Sequence, residues 1–300
     1  MTPWQNRTTA LTKRMAEDLL VRNLAQKTID SYTYHVGRFA TFVGKPIEEA
    51  TVDDIRAFQL HLIEVRKVSW SAYNQAVCGL RFFYRVTLPR PWVVTMMIPY
   101  GKRPKKLPAV LGSDEVDRLL QCVSSIKHRT LLLTLYAAGL RLSEGAWLTI
   151  PDIDSKRMLL RVACGKGSKE RLVPLSPRLL EALREYWKLV RSPKYLFPGN
   201  SFDAPITFTT IQKVCKQAAL KAGILKNVTP HTLRHSYATG LLEAGVDLLT
   251  IGRLLGHKSF LTTMVYLHVR RPHLVSTPSP IDWLPVRQLP GWQQPNNNKP

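Results

Sequence analysis

Apolar side chains recur at helical spacing through the first third of the chain. Leu11, Met15, Leu19 and Leu20 form one stripe, and Ile29, Tyr32, Val36, Phe39 and Phe42 form a second. Thr51 followed by Asp54 has the spacing of a capping box and predicts a third helix through Ile55, Phe58 and Leu62. Ser71 is expected to cap a fourth, with Tyr73, Val77, Leu80, Phe83 and Tyr84 on its apolar side. Together these stripes predict a small helical core over residues 8–88. The periodicity then stops at Pro89, Pro91, Pro99, Pro104 and Pro108, none of which suits a helix interior. Lys102, Arg103, Lys105 and Lys106 crowd the same stretch. The break ends a first domain, residues 1–100, in a basic Pro-rich linker, residues 101–108.

A second region follows with a mixed pattern. Ser113, Asp114 and Glu115 read as a helix cap with acids in the first turn, ahead of Val116, Leu119 and Leu120. An apolar helix is expected from about Arg129 to Leu140, with Gly139 as its stop. Residues 158–164 and 171–175 read as two short strands, joined as a hairpin through Gly165, Lys166, Gly167, Ser168 and Lys169. Helices return at Pro177 and run to Val269. The expected fold class is therefore mainly α with a small β-sheet, in two domains, the second spanning residues 109–272. Seven of the 21 prolines fall in the last 34 residues, so the tail, residues 273–300, is not a helix. Ile281, Trp283, Leu284 and Trp292 give that tail apolar side chains with which to anchor on a folded domain.

Composition sharpens this picture. The 300 residues are 45% hydrophobic, enough for ordinary cores in about two domains, and wholesale disorder is excluded. Lys and Arg total 43 against 21 Asp and Glu, a net charge of +22, and the isoelectric point is near 10.1. Such a charge repels itself unless a polyanion takes it up, which points to nucleic acid or an anionic membrane surface. The membrane alternative is weak. No apolar run approaches the ~18 residues of a spanning helix, and residues 1–14 lack the apolar core of a signal peptide. The basic excess is 9 over residues 1–107 and 12 over residues 108–272, so both folded regions are basic. Two bodies facing one polyanion fit that distribution better than a globule with one basic arm. Cys78, Cys122, Cys164 and Cys215 lie at least 42 residues apart. With no CxxC pair, a zinc or redox motif is not expected, and the thiols are expected to be reduced in a cytoplasmic protein.

Several segments could carry chemistry. Thr229 as cap and Pro230 at the first helical position specify a helix start. His231 and Arg234 then share a face in the first turns, beside backbone N–H groups and the positive end of the helix dipole, a setting that suits a phosphate. His231 and His235 are four apart, but position 232 is Thr where a zinc protease of the HExxH type needs its glutamate base, so no metal site is expected. Leu254, Leu255 and Gly256 close a helix and leave His257 just beyond it. Ser259 is expected to cap the next helix, which carries Tyr266. Arg141 lies on a helix–turn junction beside Glu144, which either orients it or forms an ordinary surface ion pair. The Gly165-Lys166-Gly167 tip lacks the GxxxxGK[ST] spacing of a phosphate-binding P-loop.

Taken in order, Arg141, Lys166, His231, Arg234, His257 and Tyr266 resemble the active site of the tyrosine recombinases, the phage-integrase and Xer-like family. The matching stretches are AAGLRLSE (137–144), GKGSKERLVPL (165–175), TPHTLRHSYAT (229–239) and LLGHKSFLTTMVYLH (254–268). Tyr266 lies nine positions after His257, the spacing expected in that family. Residues 108–270 carry the resemblance strongly. Residues 10–90, with Tyr73-Asn74-Gln75-Ala76, resemble the family's helical core-binding domain more loosely.

The resemblance implies two domains that close on duplex DNA as a clamp. Its chemistry is site-specific strand exchange through a 3′-phosphotyrosyl intermediate, without ATP, metal or other cofactor, by a homotetramer on two synapsed sites. Tyr266 is then the nucleophile, Arg141 and Arg234 hold the non-bridging oxygens, and Lys166 is the general acid. His231 acts as general base or phosphate donor, His257 as a further donor, and Glu144 supports Arg141. Lys169 and Arg171 compete with Lys166 for the acid role and otherwise join Lys102, Arg103, Lys105 and Lys106 as DNA contacts. His235 and His268 are supporting residues. A related type IB topoisomerase is disfavoured by the compact catalytic region, and an inactive DNA-binding protein by the complete set of six residues. An integron enzyme is disfavoured because no added helix is evident between Phe197 and Thr229. Two features depart from the family pattern: Gly145 inside a short helix, which either loosens the Arg141 turn or allows close packing, and the proline-rich tail where a docking helix is usual.

Overall fold

The computed structural model describes residues 10–90, 97–102, 108–163, 170–257 and 259–268. The chain divides into two units, Met1–Lys106 and Leu107–Pro300, and the division falls inside the proline-marked stretch. In the first unit four helices, α1 (Ala10–Val21), α2 (Gln26–Val43), α3 (Val52–Leu60) and α4 (Trp70–Phe82), follow the four apolar stripes. Thr51 and Asp54 form the expected capping box: the Thr51 amide donates to the Asp54 carboxylate at 2.7 Å, and the Asp54 amide donates back to the Thr51 hydroxyl. The fourth helix begins earlier than expected. Ser69, not Ser71, accepts from the Ala72 amide at 3.3 Å, because Trp70 and Ser71 are already in the first turn.

Helices α3 and α4 each end in a wider i→i+5 turn, His61–Val65 and Phe83–Thr87. The second of these turns keeps Phe83 and Tyr84 in the core with Met15, Leu19, Val36, Phe39, Ile55 and Phe58. Phe39 meets Phe58 and Tyr84 edge-on, with centroids 5.3 and 6.3 Å away. Leu20 and Phe42, counted in the apolar stripes, are instead exposed at the margin of the buried face. Residues 97–102 pack on this same unit. Ile98 is fully buried. The Asn74 amide pairs with the Gly101 backbone both ways, accepting from its N–H at 2.8 Å and donating to its carbonyl at 3.0 Å. Tyr73 and Arg81 add hydrogen bonds to the Pro99 and Ile98 carbonyls, and none of these contacts repeats at a spacing that would announce the anchor.

The second unit opens with α5 (Ser113–Gln121), α6 (Ile126–Ala137) and α7 (Leu142–Ala146). Ser113 is the first helical residue rather than the cap. Gly112 occupies the cap position, and its amide donates to the Glu115 carboxylate at 2.8 Å. Three strands, β1 (Ile153–Asp154), β2 (Leu159–Val162) and β3 (Arg171–Pro174), form an antiparallel meander in that order, with Leu160 opposite Val173. β1 is absent from the sequence-based expectation because two residues are too few to show alternation. Then come α8 (Pro177–Val190), α9 (Phe208–Lys221), α10 (Pro230–Glu243), α11 (Leu248–Leu255) and α12 (Leu261–Met264), with a closing 3-10 turn at Val265–His268. Ser259 does not cap α12 through its side chain; its carbonyl accepts from the Thr262 amide at 3.1 Å.

Helix α6 runs through the middle of the main core and packs on α8 and α10. A smaller cluster of Ala238, Leu242, Ile251, Leu255 and Tyr266 lies beside it, between α10 and α11. Gly139, just past the end of α6, has φ +59°, and a Cβ there would lie 2.3 Å from the Tyr237 ring. Backbone conformation and close approach therefore both require glycine. At Gly145 a Cβ would lie 2.4 Å from Leu135 Cδ2, so this glycine seats α7 tightly on α6. Close packing offsets the roughly 1 kcal/mol that glycine costs within a helix. Among the described residues no helix is long and apolar enough to cross a membrane.

Candidate active site

One carboxylate organises the site. Glu144 lies at N3 of α7, where its Oε2 accepts from the Arg141 amide at 2.7 Å and closes the helix start. Its Oε1 also accepts from Arg141 Nη1 at 2.6 Å. Arg171 on β3 meets the same carboxylate side by side, Nη1 to Oε1 and Nη2 to Oε2, both at 2.8 Å. Arg234 on α10 comes within 3.7 Å of Oε2. Burial on its own would raise the pKa of Glu144. The hydrogen bonds from Arg171 and from the Arg141 backbone outweigh it and hold the pKa at about 2.

The same three arginines satisfy the C-terminal end of α11. Arg171 Nε donates to the Leu254 carbonyl at 2.6 Å, Arg234 Nη2 to Leu255 at 2.5 Å, and Arg141 Nη2 to Gly256 at 2.9 Å. These three consecutive carbonyls belong to the negative end of the helix, where a cation is favoured. Gly256 takes the left-handed conformation, φ +62°, and ends the helix so that His257 follows directly. Arg234 also donates to the Gly139 carbonyl at 2.7 Å and is almost wholly buried. Burial and the nearby Arg141 lower its pKa to about 10, which leaves it charged at neutral pH.

Three imidazoles and a phenol lie beside the arginines. His231 reaches the surface at the start of α10, and its ring stacks on His235 at 5.7 Å. His235 Nδ1 lies 3.0 Å from the Tyr266 hydroxyl. His257 stacks over Tyr266 at 6.4 Å, and its Nδ1 is 2.8 Å from the hydroxyl of the buried Thr263. Partial burial, then the nearby cations, lower all three imidazoles: His235 and His257 to about 4, with His231 also contributing at His235 and Arg234 and Arg141 acting on His257. Tyr266 is 2% exposed, and burial raises its pKa while Arg234 and Arg141 pull the other way.

The structure thus brings together Arg141, Glu144, His231, Arg234, His257 and Tyr266. Arg171 departs from its expected place. Its side chain is 9% exposed and committed to Glu144 and Leu254, so it stands inside the site rather than on a DNA-facing surface or at the hairpin tip. Burial of a guanidinium here is possible because a carboxylate and a helix end both face it. The alternation of β3 carries the signal: Arg171 shares a face with buried Val173, whereas Leu172 is exposed. Thr263, as partner of His257, went unassigned, and His235, expected only as a supporting residue, was not paired with Tyr266, because single polar residues on a helix have no distinctive spacing. Lys102 is exposed at the end of the segment packed on the first unit. Lys166, Lys169, Arg103, Lys105, Lys106 and the tail, residues 273–300, lie outside the described residues.

Replacing Glu144 by Gln leaves three guanidiniums facing a neutral amide. Urea unfolding should show the second unit destabilised by about 3 kcal/mol, as when one partner of a buried ion pair is removed. The wild-type protein should also lose stability on acidification in two stages. His235 and His257, at about 4 when folded against an ordinary 6.5, leave the unfolded chain binding more protons, so stability falls between pH 6.5 and 4. Glu144, at about 2 against an ordinary 4.5, contributes stability that is complete above pH 4.5 and lost as the pH drops toward 2. In Glu144→Gln the second stage should shrink; an unchanged acid limb would contradict the assignment.

Comparison with known proteins identifies the family. Residues 109–273 match the phage integrase family, and residues 11–93 match the phage integrase N-terminal SAM-like domain. The Sinorhizobium fredii chain y4qK, to which an integrase/recombinase role is ascribed, is 45% identical over 277 residues, covering 92% of this chain and 90% of the relative. The tyrosine recombinase XerD of Oceanobacillus iheyensis is 34% identical over 275 residues, covering 84% of this chain and 91% of that one. The XerH site-specific recombinase, solved with its palindromic difH substrate after cleavage, shares the fold. Its TM-score is 0.68 at 21% identity, over 90% of this chain and 84% of that one. The chain therefore belongs to the phage integrase family and is a tyrosine site-specific recombinase.

Proposed function

We propose that the chain cleaves and rejoins DNA strands at specific sites through a 3′-phosphotyrosyl intermediate on Tyr266. The observation that carries this reading is the placement of the Tyr266 phenol, its hydroxyl 3.0 Å from His235 Nδ1 and its ring stacked on His257, which directly follows the Gly256 carbonyl that Arg141 binds. In the forward step the Tyr266 oxygen forms a bond to the scissile phosphorus and the P–O5′ bond breaks. Lys166 protonates the departing 5′-oxygen. His231 takes the phenolic proton or donates to a phosphate oxygen, and His257 donates to another. Reversal by a 5′-hydroxyl from the partner duplex completes exchange. The bond energy is stored in the phosphotyrosine, so the scheme needs no ATP.

Negative charge grows on the non-bridging oxygens as the phosphorane forms. Arg141 and Arg234 are permanently charged forks held in place before substrate arrives, so they act where that charge develops without reorganising. These cations do the work a divalent ion does in nucleases, and the scheme includes no metal. The basic excess on both units serves the DNA backbone, with Lys102, Arg103, Lys105, Lys106 and Lys169 as its contacts. Four protomers on two sites, in the cytoplasm on the nucleoid, constitute the working assembly. The tail contacts a catalytic domain, in cis or on a neighbouring protomer, through Ile281, Trp283 and Leu284.

With a nicked suicide substrate, the wild-type chain should form a covalent adduct in the presence of EDTA. Tyr266→Phe should bind the same DNA within about two-fold and form none. An adduct in that variant, or a strict metal requirement, would overturn the scheme. Lys166→Ala should slow cleavage by about 100-fold, the usual worth of a general acid, and recover when the 5′-oxygen is replaced by sulfur, which leaves without protonation. Failure to recover moves the acid role to another residue. Removing residues 277–300 should lower cooperativity in gel shifts on paired sites while leaving binding to a single half-site unchanged; unaltered cooperativity would exclude the tail contact.

A further inference from the structure

The hydroxyl of Tyr266 faces His235, one helical turn further along α10 than His231. Its Oη lies 3.0 Å from His235 Nδ1, and among the described residues this is the hydrogen-bond partner that the Tyr266 hydroxyl has. The contact is built from long-range packing. The Val265–His268 turn lies against α10, and Tyr266 is one of the buried residues of the small cluster with Ala238 and Leu242 on that helix. His235 is itself fixed from the other side by the stacked ring of His231 and is half-buried.

The direction of this hydrogen bond decides what it does. A neutral imidazole protonated at Nε2 presents a lone pair at Nδ1 and accepts the phenolic proton. The oxygen then keeps its own lone pairs for phosphorus. An imidazolium would instead donate from Nδ1 into those lone pairs and blunt the nucleophile. Burial, the adjacent His231 and Arg234 keep His235 neutral, with a pKa of about 4.

We propose that His235 is the hydrogen-bond acceptor that orients the Tyr266 nucleophile, turning its proton inward and its lone pairs toward the phosphate held by Arg141 and Arg234. The role is orientation rather than removal of the proton. Before the O–P bond begins to form, moving a proton from a phenol whose pKa burial raises to an imidazole whose pKa burial lowers is strongly disfavoured. The proton leaves the phenol only as the O–P bond forms, to His231, which stacks on His235. This inference rests on Tyr266 being the nucleophile.

Two substitutions separate orientation from packing. His235→Asn places an amide oxygen near the position of Nδ1, so it accepts the hydrogen bond but takes up no proton. His235→Leu fills the volume and accepts nothing. Single-turnover cleavage of a nicked suicide substrate, with DNA affinity measured in parallel by gel shift, reads the difference. His235→Leu should cleave at least 10-fold more slowly at unchanged DNA affinity, and His235→Asn should recover to within a few-fold of wild type. A His235→Leu chain as fast as wild type, or a His235→Asn chain as slow as His235→Leu, would overturn the proposal. Absence of a Tyr266 adduct in the wild-type chain would instead remove the nucleophile assignment on which it depends, and the proposal with it.

Discussion

Three guanidiniums converge on the single carboxylate of Glu144, and the rest of the catalytic unit is arranged around that ion cluster. Arg141, Arg171 and Arg234 come from the start of α7, from β3 and from α10, so one buried charge ties a helix start, a strand and a second helix together. A buried carboxylate is costly unless paired, and so is a buried guanidinium. Each side of the cluster therefore makes the other tolerable. The three arginines also extend past Glu144 to the last carbonyls of α11, which brings the chain carrying His257 and Tyr266 to the same place.

Charge balance within the cluster sets the character of the site. One carboxylate against three guanidiniums leaves two positive charges in a half-dry setting, where they act more strongly than in water. The surplus helps to depress the neighbouring imidazoles, so that His231, His235 and His257 are neutral at physiological pH and available as acceptors or as neutral donors. It also awaits an anion. In the proposed scheme a phosphodiester would bring the charge that the cluster lacks, and a phosphorane more. Preorganised cations and a neutral set of hydrogen-bonding rings are thus two results of one imbalance.

Much of the fold was legible in sequence because it depends on neighbours within a turn or two. The Thr51–Asp54 box, the Thr229–Pro230 start and the Gly256 stop appear where local chemistry places them. Errors occurred where two local choices were nearly equivalent. Ser69 displaced Ser71 as a cap, and Gly112 displaced Ser113, each within two residues. Segments without periodicity were less legible: the two-residue β1 and the Ile98–Gly101 anchor depend on contacts that leave no repeating pattern.

By itself the sequence determined the division into two basic units, the helical fold with its small sheet, and the identity and order of Arg141, Glu144, His231, Arg234, His257 and Tyr266. The first two follow from composition and i to i+4 spacing, and the six residues from the resemblance of their motifs, in order, to the recombinase family. Only the tertiary structure decided that Arg171 is a buried member of the cluster, that Gly145 serves close packing, that Thr263 holds His257, and that the Tyr266 hydroxyl faces His235 rather than His231. Each of these turns on which surfaces meet. Arg171 finds Leu254 across 83 residues of chain, and Arg141 finds Gly256 across 115. At such separations it is packing, not local propensity, that chooses the partner.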